Sequence, residues 1–224
     1  MTPDSEIHPT MWIKELFLIS NLISLVRIAV IPALWYYLAL PDPISGFVAV
    51  AILIFAGLTD WLDGFLARRL NQISKLGMIL DPLADKLLAA ALVFLAIAYR
   101  DFPVWLAALI IGRDLLILAA SAILLKGRSV VVASTITGKY AFFFIVVLLA
   151  CSVIRFELGV TITSYISVAL IAQSLIFYSR TFILIKKGES LPQFNDKPIY
   201  QIARIGLTAI VLSYLLYELY LSPA

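Results

Sequence analysis

Cysteine is nearly absent from this chain of 224 residues, and the single Cys151 excludes an internal disulfide framework and a thiolate zinc cage. Histidine is as scarce: the lone His8 lies in a polar leader and is assigned no role. Glycine and proline number 10 each, too few for a collagen-like or low-complexity chain. Charge is sparse as well, with 14% Asp, Glu, Lys and Arg where a soluble domain carries about a quarter. What is abundant is apolar surface. Hydrophobic residues make up 62% of the chain, and the mean hydropathy is +1.02. Disorder is excluded on that ground, and so is a single soluble domain, whose core does not hide that much apolar area. A polytopic membrane protein remains. Its 17 basic and 14 acidic residues are then the informative ones, because a charge inside a bilayer is costly and usually functional.

A membrane-crossing helix takes about 20 mainly apolar residues. That ruler marks spans at Asn21–Leu40, Ile44–Arg68, Gly77–Ala98, Pro103–Leu125, Ser134–Ile154, Thr161–Ile185 and Ile202–Leu221. The connections are short and rich in turn residues, as in Pro41-Asp42-Pro43, Asn71–Lys75, Arg100-Asp101, Lys126-Gly127-Arg128 and Phe156–Gly159. Before the first span, Met11–Ile19 places Trp12, Leu16 and Ile19 on one face, which suits a helix lying in the membrane interface. Asp4 and Glu6 argue against the basic start of a cleaved signal peptide. The polar stretch Lys186–Tyr200 sets the last span apart from the others. The expected fold is therefore an all-α integral membrane protein: a six-helix transmembrane bundle, preceded by an interfacial amphipathic helix and followed by a seventh, C-terminal transmembrane helix. Its parts are residues 1–20 (leader and interfacial helix), 21–190 (six-helix core) and 191–224 (polar linker and extra helix).

Orientation follows from the distribution of positive charge. With a cytoplasmic N-terminus, the cytoplasmic ends receive Lys14, Arg68, Arg69, Lys75, Lys126, Arg128, Lys139, Arg180, Lys186, Lys187, Lys197 and Arg204. The opposite side receives only Arg100 and Arg155. This predicts a cytoplasmic N-terminus in a bacterial inner membrane or its equivalent, with the acidic site described next facing the cytoplasm.

Four acids sit where spanning helices disfavour them. Asp60, Asp63, Gly64 and Ala67 fall at i, i+3, i+4 and i+7, on one face of the second span. Gly77, Asp81 and Asp85 fall at i, i+4 and i+8, on one face of the third. A short loop makes the two spans a hairpin, so the faces are able to meet. Clustered carboxylates repel one another unless some are protonated or cations lie among them. Oxygen-only ligands favour hard divalent ions such as Mg²⁺ or Mn²⁺. The small residues leave room for a ligand to approach backbone, and Arg68 is suited to phosphate oxygens. Carboxylates, metal, arginine and space together describe a site for a metal-bound diphosphate. The competing structural reading pairs these acids with Arg69, Lys75 and Lys86 as interfacial salt bridges. Four acids on two matched faces weigh against it.

The run D60-W-L-D63-G64-F-L-A67-R68, followed after eight residues by G77-M-I-L-D81-P-L-A-D85, resembles the signature of the CDP-alcohol phosphotransferases. That signature reads D-x2-D-G-x2-A-R, eight or nine residues, then G-x3-D-x3-D. All eight fixed positions are present, and the resemblance covers roughly residues 10–190. It implies that Asp60, Asp63, Asp81 and Asp85 hold one or two divalent ions, Mg²⁺ or Mn²⁺, against the diphosphate of CDP-diacylglycerol. Asn21, Asp60, Asp63, Gly64, Ala67, Arg68 and Gly77 would form the cytidine diphosphate site. Asp85 would be the general base. The residues themselves agree with that last role, since Asp85 lies deepest of the four, where burial and like charges tune a carboxylate for proton transfer. The pattern N21-x5-R27-x4-P32 in the first span is also similar to members of this family. A homodimer is usual among them, and nothing in the sequence points to nucleic acid.

The acceptor is read from basic residues away from the signature. Arg113 lies inside the fourth span beside Asp114, and adjacent helical residues do not face each other, so Arg113 is expected to look into the cavity. Lys139, Arg128 and Arg180 are further candidates on the same side. Inward-facing cations point to an acceptor that carries phosphate. Within the family, A-G-L-T-D-W-L-D-G-F-L-A-R-R and L-D-P-L-A-D-K most resemble the branches whose acceptors are glycerol 3-phosphate and, as the alternative, phosphatidylglycerol, and the resemblance implies the former. A reading of another class, a divalent cation transporter, predicts charges on both sides of the midplane. Here the acids crowd one end.

Overall fold

The computed structural model describes residues 19–70, 77–125, 136–187 and 198–221, and every regular element among them is an α-helix. In chain order these are α1 (Ile19–Ala39), α2 (Pro43–Leu70), α3 (Gly77–Arg100), α4 (Val104–Leu125), α5 (Ile136–Val153), α6 (Glu157–Lys187) and α7 (Pro198–Leu221). Among the described residues, Asn21–Ala39, Ile136–Val153, Glu157–Lys187 and Ile199–Leu221 are long and apolar enough to cross a membrane, and Pro43–Thr59 is a shorter apolar stretch. Large apolar side chains such as Phe94, Leu116, Phe142 and Leu207 are exposed. A water-facing protein does not expose apolar surface on that scale. The chain is an all-α integral membrane protein. The interfacial helix expected at Met11–Ile19 lies outside the described residues except for Ile19, which opens α1.

The chain divides into two compact units, Met1–Pro103 and Val104–Ala224. In the first, α1 packs on both α2 and α3. Leu34 and Leu38 of α1 are fully buried, as are the small residues Ala49 and Ala56 of α2 and Ala84 and Ala96 of α3, and small side chains let helix backbones come close. The start of α2 follows from Pro41-Asp42-Pro43. The Ser45 N–H donates to the Asp42 carboxylate at 2.9 Å, and Pro43 takes the first helical position, where its missing N–H is no loss. The same end is tied to α3 by Arg100, whose Nη1 donates to the Leu38 carbonyl at 3.0 Å.

In the second unit α6 packs against α5 and α4. Its buried face combines small and hydroxyl residues, Gly159, Thr163, Ser167, Ser174 and Thr181, with Ile171 and Ile185. Opposite lie Ala141, Phe144, Leu148 and Ser152 of α5. The helix α7 is mostly exposed, with Leu215 reaching the buried pair Cys151 and Phe156. Cys151 thus serves as the small apolar filler expected of an isolated thiol.

Two helix starts lie four residues before the sequence expectation. The helix α6 begins at Glu157 rather than Thr161, because the chain needs only one left-handed residue to turn. Arg155 has φ 58°, the Phe156 N–H reaches back to Cys151 O at 2.9 Å, and the Arg155 N–H reaches Ser152 O at 3.0 Å. That is a Schellman stop, after which the next helix starts at once. Gly159, read from sequence as part of the turn, is helical. A Cβ there would lie 2.2 Å from Phe156 Cδ1, so the glycine answers to packing. The helix α7 begins at Pro198 rather than Ile202, with proline again at the first position.

Candidate active site

The signature residues divide between two helices of the first unit. Asp60, Asp63, Gly64, Ala67 and Arg68 occupy the last turns of α2, and Gly77 opens α3. Their backbone is helical, as their spacing requires, and their side chains lie outside the described residues. Asp81 and Asp85 follow one turn apart on α3, and here the side chains are defined.

The helix α1 brings a polar face to these two carboxylates. Asn21, Ser24 and Arg27 succeed one another at steps of three, and all three are buried. The Ser24 hydroxyl donates to Asp81 Oδ1, and Arg27 Nη1 donates to Asp85 Oδ1. Arg27 Nη2 donates to Ser24 Oγ at 3.3 Å and lies 3.8 Å from Asp81 Oδ1. A cation on an apolar helix is tolerated only with such partners. Asp81 and Asp85 form one network with a serine and an arginine that are themselves shut away from solvent. Sequence reasoning noticed Arg27 in its N-x5-R-x4-P pattern and passed over Ser24. The signal for Ser24 was its place midway between Asn21 and Arg27 on the same face.

One expectation is corrected. Asp85 is not the more buried of the described pair: its side chain is 55% exposed against 39% for Asp81. Its setting is an ion pair at the mouth of the network rather than apolar burial. Among the described residues no group of three or more His, Cys, Asp or Glu gathers, and the side chains of Asp60 and Asp63 are outside that set. The donor chemistry nevertheless fits a hard divalent cation, since the set is carboxylate only and the two described members remain partly open to solvent.

The expected acceptor residues belong to the second unit, apart from Arg128, which lies outside the described residues. Arg113 is buried on α4, yet it pairs with its neighbour Asp114, Nη1 to Oδ1 at 2.7 Å. The expectation that the two diverge fails here, because the long arginine stem bends round the helix to reach the carboxylate. Nη2 of Arg113 donates to Gly138 O at 3.4 Å, and its buried Nε has no hydrogen-bond partner among the described residues. Lys139 and Arg180 are both exposed. Arg204 of α7, counted from sequence only toward topology, stacks over Tyr140 at 5.8 Å, next to Lys139. At the other end of α5, an open cavity of about 450 Å³ is lined by Arg155, Phe156, Glu157, Leu158, Glu218 and Leu221. It contains no expected site residue.

The helical fold and the bonded carboxylates of α3 describe an integral membrane protein with a polar site, and comparison with known proteins gives its class. Residues 17–185 match the CDP-alcohol phosphatidyltransferase family, and the chain belongs to it. Among curated relatives, the chain is similar to the CDP-diacylglycerol–glycerol-3-phosphate 3-phosphatidyltransferase of Bacillus subtilis, 35% identical over 136 residues (55% of this chain, 70% of that protein). It is similar to the protein of that name from Pseudomonas fluorescens, 45% identical over 105 residues (45% of this chain, 53% of that protein). The CMP-forming cardiolipin synthase of Rattus norvegicus is 47% identical over 104 residues (46% of this chain, 33% of that protein). The last two matches thus span about half and a third of those relatives. Membership makes the chain an enzyme of this transferase class and sets the cation-transporter reading aside. The family match ends inside α6, short of α7.

Proposed function

We propose that this protein transfers a phosphatidyl group from CDP-diacylglycerol to glycerol 3-phosphate, forming phosphatidylglycerophosphate and releasing CMP. The observation that carries the reading is the complete aspartate signature on α2 and α3, with Asp81 and Asp85 held by Ser24 and Arg27. The names of the Bacillus and Pseudomonas relatives support glycerol 3-phosphate as the acceptor.

In this reading Asp60, Asp63, Asp81 and Asp85 hold one or two Mg²⁺ or Mn²⁺ ions. Such an ion supplies charge neutralisation at the diphosphate. Asn21, Asp60, Asp63, Gly64, Ala67, Arg68 and Gly77 seat the cytidine diphosphate, the small residues giving it room and Arg68 pairing with phosphate. Asp85, fixed by Arg27, accepts the proton of the attacking hydroxyl. The hydroxyl oxygen bonds to the phosphorus that carries the lipid, the bridging P–O bond breaks, and CMP leaves with that electron pair. Arg113, Lys139, Arg128 and Arg180 bind the acceptor phosphate. For Arg113 the support is its burial and its Nε, which has no hydrogen-bond partner among the described residues.

Residues 21–190 are the catalytic core in this reading, and 191–224 an added linker and helix. The basic residues favour a cytoplasmic N-terminus and a site facing the cytoplasm of a bacterial inner membrane or its equivalent. The assembly is a homodimer in membrane lipid. The match to the rat protein favours one second reading, with phosphatidylglycerol as acceptor and cardiolipin as product. An acceptor screen separates them. Purified protein with CDP-diacylglycerol and Mg²⁺ is offered glycerol 3-phosphate, phosphatidylglycerol, inositol 1-phosphate or serine, and CMP is measured. Release with glycerol 3-phosphate supports the proposal. Release with phosphatidylglycerol alone replaces the substrate and keeps the chemistry.

A further inference from the structure

Arg27 is 1% exposed, and its guanidinium is committed to the same two carboxylates that the proposed function gives to a divalent ion. Its contacts and that of Ser24 converge on Oδ1 of each aspartate. A guanidinium stays protonated at any working pH. One that is buried on a helix is not free to withdraw into water when a second cation arrives. Two cations sharing Asp81 and Asp85 repel each other, and at a few ångströms in a partly desolvated site that repulsion is large.

We infer that Arg27 is a built-in counter-cation that weakens divalent-ion binding to the bare site and so couples loading of the ion to arrival of the nucleotide diphosphate. The inference rests on the metal reading given above. With Arg27 in place, part of the charge of Asp81 and Asp85 is already offset, so the four aspartates hold the ion less firmly when no diphosphate is present. The diphosphate adds the missing anionic oxygens, so ion and substrate bind tightly together and weakly apart. After transfer the two phosphates are divided between CMP and the lipid product, so the ion loses a single ligand that offers oxygens from both, and it loosens. Arg27 is a positioning residue in this scheme, because it acts through Asp81 and Asp85 rather than on the substrate.

The test is Mn²⁺ binding to the purified full chain, read from the electron paramagnetic resonance of free Mn²⁺, with and without CDP. In the wild type, CDP should tighten Mn²⁺ binding. Arg27→Gln should bind Mn²⁺ about tenfold or more tightly without CDP, equivalent to about 1.4 kcal/mol, and should gain correspondingly less from CDP. Arg27→Lys keeps the charge and should keep the wild-type affinity. A purely structural role predicts the reverse for Arg27→Gln, since a disordered site binds more weakly. If Arg27→Gln does not fold, the comparison is made between Asp85→Asn and Asp85→Asn/Arg27→Gln, where the guanidinium has already lost its main partner, and removal of Arg27 should again tighten binding. Wild-type binding that the loss of Arg27 leaves unchanged or weakens overturns this inference alone. A wild-type protein that binds no Mn²⁺ with or without CDP overturns the metal reading and this inference with it.

Discussion

Two buried arginines mark the two ends of the α1–α3 pair, and they do different things. Arg27 faces carboxylates, Asp85 and Asp81. Arg100 faces neutral oxygens: the Leu38 carbonyl at 3.0 Å, the Tyr99 carbonyl at 3.1 Å and Ser45 Oγ at 3.4 Å. Both satisfy the rule that a charge on an apolar helix must be bonded. Only one does so with groups that have chemistry of their own. Arg100 closes the last turn of α1, whose terminal carbonyls lack helical partners, and so acts as a cap. Arg27 orders the acids of the signature. Burial of a cation in this fold therefore does not mark a site. The identity of its partner does.

The largest expected effect lies at that partner. Asp85→Asn keeps the shape of the side chain and removes its ability to take a proton, so CMP release should fall by about 10²- to 10⁴-fold. Elution volume and helical circular dichroism should stay as in the wild type. Retained activity would move the base elsewhere. The second test sets the arginines against each other. Arg27→Gln should lower kcat by about 10²-fold, because a more tightly held ion competes for Asp85 with the proton that it accepts. Arg100→Gln leaves buried carbonyls without a donor and should lower stability by about 1–3 kcal/mol, with kcat unchanged per folded molecule. Equal losses of activity in the two variants would erase the distinction.

Much of this architecture was legible in the chain because the membrane imposes one length scale on its helices. The seven spans read from hydropathy all fall on observed helices, four of them long and apolar enough among the described residues to cross a membrane, and Asp42-Pro43 announced the start of α2. The aspartates were legible for a related reason: a charge that an apolar helix retains stands out. Three things were hidden. Ser24 was invisible because a serine in an apolar helix resembles a packing residue until its partner is known. The Arg113–Asp114 pair was hidden by a rule about neighbouring Cβ directions, which holds for short side chains and fails for a long one. The start of α6 was hidden because Gly159 has a sequence signature that serves turns and tight packing alike.

Gly159 gives the third test, on stability. An added methyl would fall 2.2 Å from Phe156 Cδ1 and 2.8 Å from Cys151 Sγ. Gly159→Ala should therefore destabilise by about 1–3 kcal/mol, as overpacking does, measured as a fall in Tm with CMP release per folded molecule preserved. An unchanged Tm would mean that the Phe156 ring moves aside easily.

The smallest effect is expected one turn away, at Arg155. Its φ of 58° is a conformation that glycine adopts without penalty and other residues avoid. On backbone grounds alone, Arg155→Gly should stabilise by up to about 1 kcal/mol. Arg155 also lines the same cavity as Glu157 and Glu218, so its charge opposes the loss. Exposed pairs of this kind contribute about 0–1 kcal/mol and weaken with salt. The two effects separate on that dependence: a stabilisation from backbone relief should persist at low and high ionic strength. A Tm that falls in Arg155→Gly at low salt and recovers at high salt would show that the charge of Arg155 outweighs the backbone cost of its φ at this turn.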